Sequence, residues 1–471
     1  MGRFFDAMTN KDAETLNGMP AFSTTGNALL DFYFMAGGSR DLSSDSILGF
    51  FTKALAYSKI DAMVLLFAVR DIRGGMGERR VFRIILRYLA DTYPEIVKNI
   101  LHLVPEYGRW DDLFSVFGTL CEKESLQLIA QALYSSNGLC AKWMPREGKK
   151  GFKEYGTKIA KFMNLTHKQY RKLLVSLTKV VENDMSANRW HMIKYESVPS
   201  VAFNKYSKSF RERDTDRFLK FLEDVKNKKV TIKASAIFPY DIVNTVITGK
   251  ENMSANLQWL NLPDYINGDV KFLPVCDVSG SMYVKNRSVS PIVSAISLSI
   301  YLAERNKSEL KDIVCTFSDR PVFVKLGGYL SDKVKQLATS NWGYNTDLGR
   351  VFDVLLSYAK QSRLTKGDMP DYILILSDMQ FDSCIKFPED SVMEMIERKY
   401  KESGYDTPKI IFWNLNSYSN FPLRFDTRNV LLVSGYSPAI LTMLFDYTRN
   451  PLDLINKILN NPRYLPVVNS L

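Results

Sequence analysis

Val275-Cys276-Asp277-Val278-Ser279-Gly280-Ser281 is an apolar run that ends in a carboxylate, with two hydroxyls at alternate positions behind it. Alternate residues of an extended turn project to one side, so Asp277, Ser279 and Ser281 offer their oxygens to a common point. A hard divalent cation such as Mg2+ gathers oxygen ligands at about 2.1 Å and keeps some of its water, which is the chemistry this spacing provides. The bland alternative is a strand-to-helix turn in which Asp or Ser serves only as a cap. Three donors in strict alternation favour the cation.

Outward from this turn the chain alternates between two rhythms. Short β-rich runs at 272–276, 313–317, 322–326, 372–376, 410–413 and 430–433 are separated by helical patterns at 292–304, 332–337, 348–358 and 392–400. Strand-helix alternation predicts a doubly wound sheet with helices on both faces. In such sheets ligands collect beyond the carboxyl ends of the strands, where Asp277 lies. Two further loops should reach the same edge. Trp342-Gly343-Tyr344-Asn345-Thr346-Asp347-Leu348 brings the Thr346 hydroxyl, and Leu374-Ile375-Leu376-Ser377-Asp378 ends a β-run in a carboxylate. Asp277, Ser279, Ser281, Thr346 and Asp378 together give five oxygen donors from three loops, with Asp382 an alternative to Asp378 as the last ligand.

The first half reads differently. Residues 1–40 are rich in Asn, Thr, Gly and Ser and form an expected arm. From Asp45 apolar residues recur at three and four spacing through Ile47, Phe50, Phe51 and Leu55, then Met63, Leu66 and Phe67, then Phe82, Ile85, Leu86 and Leu89. This is the period of amphipathic helices, and the short breaks between them predict antiparallel pairs. Gly74-Gly75-Met76-Gly77 resembles a phosphate loop only superficially, because no strand precedes it; a helix-helix turn is expected. Asn244 to Asp264 reads as a connection, which places the domain boundary at 262/263: an arm at 1–40, a helical domain at 41–262 and an α/β domain at 263–471.

The net charge of +11 is concentrated between Lys142 and Lys233, where 23 Lys and Arg stand against 10 Asp and Glu. A local positive field attracts polyanions. The interleaved aromatics Trp143, Tyr155, Tyr170, Trp190, Tyr195 and Tyr206 are candidates for stacking on unpaired bases. A solvated helical face would have the same composition.

With 46% hydrophobic residues and 12% aromatics the chain has ample material for a core. Five dispersed cysteines suggest neither a disulfide framework nor a zinc site. The first residues lack a signal-peptide pattern and no apolar run approaches the length of a membrane span, so a cytoplasmic protein without membrane association is expected. Enzymatic readings are weak. His102, His167 and His191 are the only histidines, none lies near another ligand, and neither a nucleophile elbow nor a Walker motif occurs.

The metal loops resemble those of a von Willebrand factor A domain with its metal-ion-dependent adhesion site: the D-x-S-x-S, the isolated Thr346 and the late Asp378 occur in that family's order. The resemblance implies a magnesium ion held directly by Ser and Thr hydroxyls, with the two Asp often acting through water and a protein partner's carboxylate completing the shell. One departure is Met379, where the family commonly has Gly after the last Asp.

The first half is similar to the TROVE module of Ro ribonucleoproteins and to its uncharacterised relatives in plants, fungi and viruses. The similarity is carried by Arg70-Asp71-Ile72-Arg73-Gly74-Gly75-Met76-Gly77-Glu78-Arg79-Arg80, by Val104-Pro105-Glu106-Tyr107-Gly108-Arg109-Trp110-Asp111-Asp112-Leu113, and by Ala141-Lys142-Trp143-Met144-Pro145-Arg146, Val198-Pro199-Ser200-Val201-Ala202 and Phe238-Pro239-Tyr240-Asp241-Ile242.

It implies an all-α array of HEAT-like helices, a ring in that family, followed by the Rossmann-like A domain, and a non-enzymatic protein that binds small structured or single-stranded RNA. Lys142, Arg146, His167, Lys168, Arg171, Lys172, Lys205, Lys208 and Arg211 are the expected RNA-binding residues. The alternative is a protein-interaction scaffold whose metal captures an acidic side chain. Arg109-Trp110-Asp111-Asp112 is expected to lock helices through ion pairs and a buried indole.

Overall fold

A computed structural model of the chain describes residues 12–15, 17–146, 153–249, 252–266, 268–283, 289–317, 320–340, 347–381, 392–418, 420–444 and 450–471. The chain forms two compact units, and each is assembled from two separate stretches: the residues up to Leu42 with Ile237–Ile458, and Ser43–Ala236 with Leu459–Leu471.

The first unit is built on a sheet. A short antiparallel pair, β1 (Ala13–Glu14) and β2 (Pro20–Ala21), precedes six strands: β3 (Phe272–Asp277), β4 (Ile313–Phe317), β5 (Phe323–Lys325), β6 (Tyr372–Ser377), β7 (Lys409–Asn414) and β8 (Val430–Ser434). Their order is β5-β4-β3-β6-β7-β8, all parallel except β5, which runs antiparallel to β4. Every residue of β3 and β6 is buried, as strands covered on both faces require.

All six predicted β-runs are strands. The β3–β6 register pairs Val275 with Ile375 and Cys276 with Leu376, which sets Asp277 opposite Ser377. The chain leaves β3 toward β4 on one side and leaves β6 toward β7 on the other. The crevice beyond their carboxyl ends is therefore the topological switch point of the sheet.

The expected N-terminal arm is in fact part of this unit. Ala28–Ala36 is a helix, capped by the Asn27 side chain on the N–H groups of Leu29 and Leu30, and buried from Leu29 through Ala36. It packs against β8. The Ser434 hydroxyl donates to Tyr33 O at 3.0 Å and the Ser417 hydroxyl to Met35 O at 2.8 Å. Gly37 and Gly38 permit this approach: a Cβ at Gly37 would stand 2.4 Å from the Ser434 carbonyl carbon, and one at Gly38 would stand 2.5 Å from Ser417 Oγ. A helix laid on the last strand also protects an edge that would otherwise invite pairing.

Within 244–264, read from sequence as a connection, the end of Pro239–Ile247 and all of Asn252–Leu260 are helices, and by packing both go with the sheet unit, which resumes at Ile237. Trp259, almost wholly buried, donates through Nε1 to Glu304 at 2.7 Å, and Asn256 Oδ1 accepts from Leu330 N at 3.0 Å.

The second unit is helical. In Arg79–Thr92, Val81, Phe82, Ile85, Leu86 and Leu89 are buried at helical spacing while the intervening arginines face outward or into ion pairs. Gly74-Gly75-Met76-Gly77 is the turn between Lys59–Arg70 and Arg79–Thr92; a Cβ at Gly75 would lie 2.0 Å from Ala68 O. Polar locks hold the helices. Arg70, 1% exposed, reaches Asp112 through Nε at 2.8 Å and Nη2 at 2.6 Å. Arg83 bonds Asp112 at 2.7 Å and Asp111 at 2.8 Å, and Arg109 forks onto Asp111 at 2.9 and 2.7 Å.

The ion pairs expected of the Arg109–Asp112 stretch are present, but its indole is not the buried one: Trp110 is half-exposed, and Arg109 instead lies 3.8 Å from the ring centre of Trp143. At the far end of the chain Arg463 closes on the fully buried Asp71, with its Nη2 2.7 Å from Oδ1. Among the described residues no helix is long and apolar enough to cross a membrane.

Candidate metal centre and basic helices

The sheet delivers Asp277 to the carboxyl end of β3 because the apolar Phe272-Leu273-Pro274-Val275-Cys276 run is buried and stops there. Asp277 is buried, and its Oδ1 accepts the backbone N–H of Ser279 at 2.9 Å. This local bond tightens the turn. It leaves the Ser279 and Ser281 hydroxyls 3.0 Å apart, the convergence expected from alternate positions. A single turn of 3-10 helix, Gly280–Tyr283, follows directly.

From the adjacent strand, Ser377 donates its hydroxyl to Asp277 Oδ2 at 2.5 Å and accepts from Met379 N at 3.0 Å. Asp378 follows, 1% exposed. Its Oδ1 accepts from Gln380 N at 3.2 Å, while its buried Oδ2 has no hydrogen-bond partner. Burial first, and the neighbouring Asp277 second, push the Asp378 carboxyl up to about 7, opposed by the Gln380 N–H and the Ser281 hydroxyl.

The structure thus brings together Asp277, Ser279, Ser281 and Asp378. Thr346 and Asp382 lie outside the described residues. The departure at Met379 also has a physical form. Its φ is +63°, the left-handed region that glycine favours, and its side chain is nevertheless buried. The glycine-type backbone is kept here with a buried methionine side chain.

These groups fit a divalent cation. A buried carboxylate oxygen without a partner is costly unless something positive meets it. The donor set combines only two carboxylates with hydroxyls, and among the described residues no cluster of three or more His, Cys, Asp or Glu offers another metal site. Residues absent from the sequence argument support the loop. Thr15 donates to Phe381 O at 2.6 Å, Asn17 to Gln380 O at 2.7 Å, and Gln380 Nε2 to Asn420 at 3.3 Å. Phe381 is anchored against Phe317 and Phe412.

The nine basic candidates fall mainly on two helices of the other unit. His167, Lys168, Arg171 and Lys172 are exposed on His167–Leu177, whose buried side is Tyr170 and Leu174. Lys205, Lys208 and Arg211 are exposed on Ser200–Arg213. Arg146 is exposed beside the first group, since Tyr170 donates to Pro145 O at 3.3 Å, and Lys142 is half-buried near Trp143.

Of the six aromatic candidates, Trp190 is half-exposed with its Nε1 on Asn188 Oδ1 at 2.7 Å, and the others have partners within the protein. Tyr170 and Tyr195 are buried, the latter bonded to Asp214 and packed among Phe210, Phe218 and Phe221. Tyr155 sits between Phe114 and Phe117, Tyr206 packs on Phe210 and donates to Glu182, and Trp143 is covered by Arg109. An aromatic flanked by apolar neighbours at helical spacing goes to the core.

Residues 271–455 match a domain of unknown function (DUF7788), and residues 126–267 match another (DUF2828). The two matches meet between 267 and 271, close to the boundary drawn from sequence, although packing joins the preceding helices to the sheet. An uncharacterised protein of Acanthamoeba polyphaga mimivirus is 29% identical over 506 residues, covering 94% of this chain and 86% of its own. The Ro (RSR) protein of Deinococcus radiodurans is similar to 93% of this chain over 99% of its own, with 14% identity and a TM-score of 0.44.

Proposed function

We propose that this chain is a non-enzymatic RNA-binding protein whose helical unit holds RNA and whose sheet unit carries a magnesium site of the von Willebrand factor A type. The observation that supports it best is the exposure of eight of the nine basic candidates within a stretch carrying 23 cations against 10 anions. Phosphate recognition by such residues releases counterions, so affinity falls steeply with salt. The motif similarity to the TROVE module favours the same reading.

The test is filter binding of single-stranded and hairpin RNA at two salt concentrations. Salt-sensitive binding is expected, and Arg171→Glu with Lys172→Glu should lower both the affinity and the slope. Absence of salt-sensitive binding, or identical curves for the charge-reversed variant, overturns the reading.

A second reading is favoured by the partnerless oxygen of Asp378. In it the protein is a metal-dependent interaction scaffold, and the ion held by Asp277, Ser279, Ser281, Thr346 and Asp378 receives an acidic side chain from a protein partner. Few direct charges on the ion leave it electrophilic toward such an anion. Magnesium should raise the melting temperature of the native chain, by the equivalent of about 2.7 kcal/mol at a hundredfold excess over Kd, and Asp277→Ala should abolish the shift. An equal shift in that variant would mean that the ion binds elsewhere.

A further inference from the structure

We propose that Tyr134 and Phe162 form a platform on which unpaired bases of single-stranded RNA stack; this deepens the RNA reading and rests on it. Tyr134 is 66% exposed and Phe162 41% exposed, in contrast to the buried aromatics of the same unit. They lie together: Tyr134 ends the helix Glu122–Tyr134, and its hydroxyl donates to Met163 O at 3.2 Å, one residue beyond Phe162 at the end of Lys153–Phe162. The two helices pack on each other.

The turn after Phe162 leads straight into His167–Leu177, capped by Thr166, and that helix exposes Lys168, Arg171 and Lys172. Lys161 is exposed immediately before Phe162. Among the described residues no carboxylate pairs with any of these four cations. Exposed rings, one on a helix that packs against its cation-bearing neighbour, with the cations within about ten residues of Phe162 along the chain and unneutralised, suit a ligand that is anionic along its backbone and aromatic in its side groups. Leu139, 63% exposed, and Val175, 51% exposed, are further exposed apolar side chains of this unit, on helices that pack against each other. A duplex hides its base faces, so the ligand is single-stranded.

The test uses the full chain and a labelled uridine oligomer, with an abasic ribose-phosphate oligomer of equal length as a second probe. Tyr134→Ala with Phe162→Ala should weaken uridine-oligomer binding roughly tenfold or more, leave the salt slope unchanged, and leave abasic binding as in the native chain. Tyr134→Phe keeps the ring and loses the bond to Met163, and it should bind as the native chain does. If the native chain binds the oligomer and the double variant binds equally well, the platform is wrong while the RNA reading stands. If Tyr134→Phe falls as far as Tyr134→Ala, the hydroxyl's structural bond is responsible and the platform is again wrong. If the native chain binds neither probe, both readings fail, and binding of a poly-glutamate peptide instead would assign the surface to acidic protein.

Discussion

In the helical unit Asp112 is fully buried and receives Arg70, Arg83 and the backbone N–H of Arg109; in the sheet unit Asp378 is almost as deeply buried, and one of its oxygens receives nothing. Burial is the same, but the saturation differs. A buried carboxylate held by two arginines and a backbone N–H is part of the scaffold, since both of its oxygens are engaged and its charge is compensated within the chain. A buried carboxylate with an idle oxygen, close to a second carboxylate, is costly to keep charged unless something positive meets it.

The sharpest way to break this contrast is to remove the saturated member. Asp112→Ala leaves Arg70 buried without its counter-charge and should cost about 3–5 kcal/mol in urea denaturation of the helical unit. A loss below 1 kcal/mol would show that the network does not hold the helices. Next in size is the unsaturated member. The folded state raises the Asp378 carboxyl from 3.8 to about 7, so it binds a proton more tightly than the unfolded chain. Stability from that proton is complete below pH 4 and is lost as pH rises through about 7.

Asp241, raised to about 6 by burial, adds a loss of the same sign over a lower range. Metal-free melts in chelator should therefore fall between pH 4 and 7. Asp378→Asn should flatten that fall and raise stability at pH 7.5 on the order of 1–3 kcal/mol. A lower melting temperature for Asp378→Asn would mean that its oxygen is a structural acceptor. The smallest effect belongs to an exposed pair: Arg73 and Glu106, 3.2 Å apart with side chains 59% and 65% exposed, should yield under 1 kcal/mol in a double-mutant cycle.

The sheet was legible because its strands are short apolar runs at regular spacing, and the D-x-S-x-S turn stands at the end of one such run. Asp378 was legible as the end of another run. What could not be read was Ser377, which lies inside a β-run yet turns its hydroxyl onto Asp277, and the backing of the loop by Thr15, Asn17 and Gln380, hundreds of positions away in the first two cases.

The helix Ala28–Ala36 was missed because Ala-Leu-Leu-Asp-Phe-Tyr-Phe-Met-Ala is apolar on almost all sides. A helix buried all round has no amphipathic period to detect. The burial of Tyr170 and Tyr195 escaped the sequence for a related reason: composition counts a tyrosine without saying whether Tyr170 points inward or Tyr134 outward.

The crossed threading of the two units has a consequence during synthesis. Asp71 leaves the ribosome 392 positions before Arg463, the residue that neutralises it. Until those last residues arrive, the nascent helical unit holds a carboxylate with no counter-ion at a place meant to be dry, and it cannot settle fully. The sheet unit, by contrast, has its Ala28–Ala36 helix made early, to wait for β8 some four hundred residues later. Truncating either end of the chain should therefore wound the unit that the neighbouring sequence does not belong to: loss of residues 459–471 loosens the helices, and loss of the first 42 exposes the edge of the sheet.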